Sequence, residues 1–462
     1  MSKIEPRIKE SADVTSPSLS KRQFQLRSLI VAVAILHLAV TFAFFMAGRY
    51  QLVPSQISPS GIGKFASDGL VYQEQVVDLS NILKSQGVRM WANWPNQLHV
   101  RLYSLPHAAV SRWINFNILT IEPLNLIYYL AIVCFVFKIA TAIFDDRIGL
   151  IAAAMVALWP SFLLHTTQLL RDPLLILAVV VLVYCLVELL KLRWSWRRAL
   201  LLGLASFASL VTIRIVRLPM WYVIVALVGL AVIFFLARTL QTKQLNPGAV
   251  VYVLLMMLAI AVIPKLQPFF HNQQELGRKR YIENEEEDKL PIEQQVFRRR
   301  EAFKYTLAHD GEALPVDDAS RIDTDVKLNS LGSIIRQLPR ALEVGLFAPF
   351  PNMWLRAGKQ VGYSGRVISG FETLLTYVIE SMALLGWWRQ RRNLAAWLLA
   401  ITIGLGTVAL GLVVNNMGAM YRLRYPFWVL MVVLGAGGIS FLWERFKSFK
   451  SLHNNSHREI FT

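Results

Sequence analysis

Apolar residues in this chain come in runs rather than in alternation with polar ones. Ten runs approach the length of a bilayer's hydrocarbon core: residues 28–47, 123–144, 148–164, 173–190, 199–213, 219–237, 249–264, 369–388, 394–414 and 424–443. About 20 apolar residues in a helix rise about 30 Å, so each run predicts a transmembrane helix. The runs at 148–164 and 199–213 are short, which suits tilted helices or helices that end in a polar cavity. A polar, basic leader precedes the first run and is too long for a signal peptide. With no small-x-small cleavage site after it, that run reads as a retained helix.

Two long polar stretches separate the runs, residues 48–122 and 265–368. In the first, Tyr72, Val76, Leu79 and Leu83 recur at helical spacing with Asp68 at the head of the stripe. Further on, LYSLPHAAVSRWI (102–114) predicts a short helix too polar to span. Both suit helices lying at the membrane interface. The second stretch holds ENEEEDK and FRRREAFK, whose mixed charge predicts a solvated helical face. Its LPRALEVGLFAPFPNMW (338–354) predicts a return to the membrane surface.

Basic patches orient the helices. SKRQFQLR near the N-terminus, KLRWSWRR (191–198), RTLQTK (238–243), RQRR (389–392) and ERFKSFK (444–450) all fall on one side of a ten-helix bundle. The positive-inside rule makes that side cytoplasmic and both long loops extracytoplasmic. The expected order is a basic cytoplasmic tail (1–27), a membrane core (28–264) that includes the first loop, and a second loop (265–368). The last helices (369–443) and a cytoplasmic tail (444–462) complete it.

Composition agrees with a membrane protein: 55% of the 462 residues are hydrophobic and only 17% are charged. A net charge of +18 raises the question of nucleic acid. Here Lys and Arg sit in patches between apolar runs rather than on one face of a soluble domain, so no nucleic-acid partner is expected. Cys134 and Cys185 both lie inside apolar runs, which excludes a disulfide framework. His99, His107, His165, His271 and His309 show no metal-ligand spacing.

Polar residues gather where the runs reach the expected outer face. They are Asp68 with Tyr72, Arg171 with Asp172 in TTQLLRDP (166–173), and Arg422 with Arg424 in NNMGAMYRLRYP (415–426). Arg214 and Arg217 in IRIVRLP make a fourth group. Cations at outer ends run against the charge bias, and polar groups near membrane depth are costly unless paired or functional. Moving a sugar from a lipid phosphate needs a base for the acceptor hydroxyl and fixed positive charge for the departing phosphate. A carboxylate and arginine suit those tasks.

Three of these stretches, SDGLVY, LWPSFLLHTTQLLRDPLLI (158–176) and YRLRYPFWVLMVVLGAGGI (421–439), resemble the membrane glycosyltransferases of the GT-C class. The similarity is to the superfamily of dolichyl-phosphate-mannose protein mannosyltransferases and aminoarabinose transferases. It implies an all-α polytopic fold of about ten transmembrane helices, with interfacial helices in two extracytoplasmic loops. It also implies transfer of a sugar from a polyprenyl-phosphate donor to an extracytoplasmic glycan, lipid or protein, in the inner or plasma membrane. Asp68 then corresponds to the base, with Asp172 a second catalytic candidate supporting Arg171. Arg422 and Arg424 correspond to the phosphate clamp, with Arg171, Arg214 and Arg217 as further phosphate contacts. Tyr72 and Tyr421 correspond to acceptor or sugar contacts. The family's acidic pair is here a single Asp68 followed by Gly69, which leaves the base and a divalent metal open.

Each group also has a plainer reading. Asp68 suits a helix N-cap, and Arg171 with Asp172 a simple ion pair. Arg422 and Arg424 suit ordinary lipid head groups, Arg214 and Arg217 suit snorkelling, and Tyr72, Trp91 and Trp94 suit interfacial anchoring. Two rival functions remain, a lipid-linked polysaccharide polymerase or ligase and a flippase for lipid-linked sugars. A transporter calls for inverted repeats and broken helices at mid-membrane, whereas the charges here sit at helix ends.

Overall fold

The computed structural model describes residues 17–191, 195–271, 290–307, 313–315, 320–355 and 362–459. The acidic ENEEEDK stretch (283–289), His309 and part of the 191–198 basic patch lie outside these residues. The described chain is mostly helical. Its first ten helices are α1 (Pro17–Arg49), α2 (Asp68–Asn93), α3 (Leu98–Val110), α4 (Ile118–Ile143), α5 (Asp146–Ala157), α6 (Pro160–Thr166), α7 (Asp172–Leu189), α8 (Trp196–Val216), α9 (Met220–Thr242) and α10 (Pro247–His271). There follow α11 (Ile292–Ala302), α12 (Leu331–Phe347), α13 (Gly362–Arg389), α14 (Leu394–Val413), α15 (Met417–Leu423) and α16 (Tyr425–Glu459). A short ribbon in the second loop pairs β1 (Tyr305–Leu307) antiparallel with β2 (Ala313–Pro315), Tyr305 opposite Pro315.

Among the described residues nine helices are long and apolar enough to cross a membrane, and ten if α5 and α6 form one bent span. The protein is a multi-pass membrane protein of helices, whose backbone polar groups are satisfied within each span. The run at 148–164, expected as one short span, forms two helices meeting at 67°. Pro160 has no N–H to continue the ladder, and Trp159 before it is held extended at φ −72, ψ 118. The predicted interfacial helices form as α2 and α3, which pack against each other.

Helix sequence sorts the bundle into centre and rim. In α7 and α16, 78% of the spanning window is buried, against 17% in α1. The α7 sequence is apolar all round, as a central helix requires. Glu122 on α4 ties α1 to this core: its carboxylate meets His37 Nδ1 at 2.7 Å and accepts from the Thr41 hydroxyl at 2.9 Å.

The second loop is clamped to the bundle rather than solvated. Arg300, in the FRRREAFK stretch, is only 1% exposed. It donates to the Leu412 carbonyl at 2.8 Å and the Asp323 carbonyl at 2.5 Å. The last carbonyls of α14 lack helical partners, and a buried cation there satisfies them. Helix α12 lies along α14 with backbones almost touching. A Cβ at Gly411 would come 1.9 Å from the Ala341 carbonyl, and one at Gly345 would come 2.1 Å from that of Thr407. The Ile322 N–H donates to the Asn415 carbonyl at 3.0 Å, so the loop braces the hinge between α14 and α15.

Candidate active site

Helix α2 is docked at its start by backbone contacts. The Gly63 N–H donates to Gln168 Oε1 at 2.8 Å, and Ile62 is fully buried. Gly69 lies so close to the turn before α7 that a Cβ there would sit 3.0 Å from the Leu169 carbonyl. That turn is itself fixed, because Asn125 donates to the Gln168 carbonyl at 3.3 Å and the Tyr103 hydroxyl reaches Asn125 Oδ1 at 2.6 Å. Ser67, not Asp68, stands at the N-cap position, and no side-chain cap bond is made there. The Asp68 carboxylate is directed elsewhere.

It meets Arg422. On the short helix α15, Arg422 Nη2 donates to Asp68 Oδ2 at 3.0 Å, while Nη1 stands 4.0 Å from Asp172 Oδ2. Burial opposes the charge on this guanidinium, but Asp172 and then Asp68 outweigh it and hold its pKa above the ordinary value. Arg171 and Arg217 complete the group, both half-buried and in electrostatic reach of Asp172. Neither side chain makes a hydrogen bond or ion pair among the described residues. Burial first, and then the neighbouring Arg171 cation, pull the Arg217 pKa down to about 9. Three guanidiniums therefore face two carboxylates, with one positive charge in excess.

Tyr72 stands one turn beyond Asp68 and is 7% exposed. Burial raises its hydroxyl pKa, with Asp68 and Asp172 adding to the effect and Arg171 and Arg422 opposing it. The His99 ring packs edge-on against Tyr72 with centroids 4.4 Å apart. Burial, and then Arg171, lower its pKa to about 3, so it is neutral near pH 7.

Three candidates are not brought into this group. Arg424 turns to the end of α12, where Nη1 donates to the carbonyls of Leu346 at 2.6 Å and Ala348 at 2.9 Å. Those carbonyls have no helical partners, so the guanidinium closes a helix end rather than facing a ligand. Arg214 is buried with its guanidinium 5.5 Å from the Trp221 ring centre. The Tyr421 hydroxyl donates to Glu372 Oε2 and lies 3.1 Å from Ser161 Oγ.

Glu372, Ser161, His99 and His165 were not singled out as site residues by the sequence. The Ser161 N–H donates to Glu372 Oε1 at 2.8 Å, and His165 Nδ1 donates to the Ser161 carbonyl at 2.6 Å. Glu372 was visible in principle as a carboxylate within an apolar run, a costly placement. Among the described residues no three His, Cys, Asp or Glu side chains gather as a metal site requires. A groove of about 620 Å³, lined by Ile151, Val378, Met382, Ile439 and Trp443 among others, is almost wholly apolar. It lies some 20 Å or more further along α16, at about 1.5 Å per residue. A groove without convergent polar groups suits lipid, and the charged group is the better candidate site.

No protein-family model matches the chain, and neither does any curated protein. Among solved structures it is similar to the archaeal oligosaccharyltransferase AglB from Archaeoglobus fulgidus, determined in complex with an inhibitory peptide and a dolichol-phosphate. That likeness has a TM-score of 0.48 at 13% identity and covers 94% of this chain and 52% of that one. The chain spans about half the length of the solved protein.

Proposed function

We propose that this protein transfers a sugar from a polyprenyl-phosphate carrier to an acceptor hydroxyl at the extracytoplasmic end of its bundle, in the manner of GT-C glycosyltransferases. The observation that carries the reading is the unpaired Arg171 and Arg217 beside two carboxylates. A guanidinium without an anion, half-buried at a span's end, is costly, and a phosphate is the ligand its fork fits. A sugar phosphodiester carries one negative charge, which matches the single excess positive charge of the group.

Arg171 and Arg217 bind the phosphate oxygens. Arg422 holds Asp68 in place from one side while buried Asp172 steadies the same guanidinium from the other, which makes Asp172 a positioning residue. The Asp68 side chain is 38% exposed and so open to an acceptor. It takes the proton as the acceptor oxygen bonds to the sugar's anomeric carbon. The bond from that carbon to the phosphate oxygen breaks, and the electron pair leaves with the carrier phosphate. Arg424 drops out of the phosphate clamp.

The test is single-turnover transfer from synthetic polyprenyl-phosphate sugars by purified Asp68→Asn protein. Asparagine still accepts the Arg422 hydrogen bond but cannot take a proton at neutral pH. Transfer is expected to drop by about 10²-fold or more, with carrier binding kept. Wild-type rates in this variant would remove Asp68 as the base.

A further inference from the structure

Next to the charged group, on α2 and α3, lies a second set of polar side chains with a different character. Asp68, Tyr72, Gln75 and Leu79 share one face of α2 by helical spacing. Gln75 Oε1 is buried and has no hydrogen-bond partner among the described residues. The same holds for His99 Nε2, on a residue 1% exposed. The Tyr72 hydroxyl also makes no hydrogen bond among the described residues. Tyr72 lies in electrostatic reach of Arg171, Asp68, Asp172 and Arg422, and His99 in reach of Arg171 and Asp172. Tyr72 and His99 therefore border the charged group, and Gln75 follows Tyr72 on the same face of α2.

A buried polar atom without a partner costs on the order of 1–3 kcal/mol, and such atoms are rare in folded proteins. Buried atoms without a partner also occur elsewhere among the described residues, Glu380 Oε1 and Trp428 Nε1 among them, whereas two buried carboxylates are fully met. The Glu372 carboxylate takes both the Ser161 N–H and the Tyr421 hydroxyl. The Glu122 carboxylate takes both His37 and Thr41. What distinguishes this set is that Tyr72 and His99 lie in reach of Arg171, itself without a side-chain partner among the described residues, and a ligand that pairs with all of them explains the combination.

We infer that Tyr72, Gln75 and His99 form an uncharged subsite that binds the hydroxyl groups of a sugar, next to the arginines that hold its phosphate. The subsite rests on the carrier-dependent reading proposed above. Its chemistry selects the ligand class. An anion goes to the guanidiniums, and a cation is repelled by them. The amide of Gln75, the neutral ring of His99 and the phenol of Tyr72 carry no charge to offer either. A hydroxyl suits all three, since it donates to Gln75 Oε1, accepts from the Tyr72 hydroxyl and does either with an imidazole nitrogen.

The probes are bare polyprenyl phosphate and a panel of polyprenyl-phosphate-linked hexoses and pentoses, bound to the full chain in detergent. In the wild type at least one glycosylated carrier is expected to bind about tenfold tighter than the bare carrier. Gln75→Met and His99→Phe should each abolish most of that increment and leave affinity for the bare carrier unchanged. Gln75→Met should also melt no lower than the wild type, because an apolar side chain of similar shape replaces an amide whose buried oxygen is unpaired. A sugar increment that survives both substitutions, or no increment for any sugar in the panel, overturns the subsite. So does a Gln75→Met protein that loses thermal stability and both affinities together, the mark of a structural role. Failure of the wild type to bind even the bare carrier would overturn the carrier reading itself, and the subsite with it.

Discussion

Arginine serves two opposite ends in this molecule. Around the second loop every key guanidinium is committed within the chain. Arg300 holds carbonyls at the end of α14, Arg424 holds those at the end of α12, and Arg340 forks onto Asp323 at 2.9 and 3.1 Å. Where α7 starts and α8 ends, Arg171 and Arg217 lie in electrostatic reach of each other without such partners among the described residues. The first set answers a demand of the fold, since helix ends near lipid leave carbonyls that water does not reach. The second answers no demand of the fold and works against it through like-charge repulsion. That contrast separates arginines that build the protein from arginines that wait for an anion. Arg422 lies between the two, paired within the chain but to carboxylates of the candidate site.

The contrast breaks most visibly at Arg217. Replacing it with Met removes one of two crowded cations, so Arg217→Met is expected to bind polyprenyl phosphate about 10–100-fold more weakly, the value of a charge-assisted hydrogen bond. Its melting temperature in detergent should hold or rise, because the repulsion from Arg171 is gone. Titrating carrier into both proteins and recording their melts gives both numbers. A variant that melts lower and binds as before would place Arg217 among the building arginines.

Arg424→Met is expected to behave the opposite way. It strands the carbonyls of Leu346 and buried Ala348, so stability should fall by about 1–3 kcal/mol while affinity for the carrier stays within twofold of the wild type. Thermal melts and the same carrier titration decide it. Weakened carrier binding in a protein of unchanged stability would return Arg424 to the clamp.

How far these differences could be read in the sequence depends on what each one is made of. Helix number follows from the length of apolar runs, a local property, and the structure has those helices. The break at Pro160 is also local, set by its missing N–H, though run length alone does not reveal it. The gathering of Asp68, Asp172, Arg171, Arg217 and Arg422 was anticipated as charges at one end of the bundle. The opposite settings of Arg422 and Arg424 were not, because two residues across a helix break face different neighbours and only packing chooses which. Arg300 reads as one cation in a solvated block, yet α14 has carbonyls waiting above it. Glu372 was hidden among apolar neighbours. For Gln75 and His99 the signal is the lack of a partner, which exists only once α2 lies against α3.

The smallest expected effect concerns His99, where the unpaired arginines meet the uncharged side chains. Arg171 and Asp172 from the start of α7, and Tyr72 from α2, are the polar groups that bear on it. In the folded protein His99 holds a proton only below about pH 3, because burial and then Arg171 disfavour the cation. In the unfolded chain it titrates near its ordinary value of about 6.5. Between these values the unfolded state binds more protons, so this residue's contribution to stability is full above about pH 6.5 and falls as pH drops toward 3. At pH 5.5 the loss amounts to roughly 1 kcal/mol by linkage. Other groups titrate in the same range, so the useful quantity is a double difference. Melting temperatures of wild type and His99→Phe are compared at pH 7.5 and 5.5, and the wild type should lose more on acidification. Equal losses would mean that His99 takes up its proton in the folded state as easily as in water. Arg171 would then be screened or paired, and the distinction between a charged wall and an uncharged one would not hold at this point of the site.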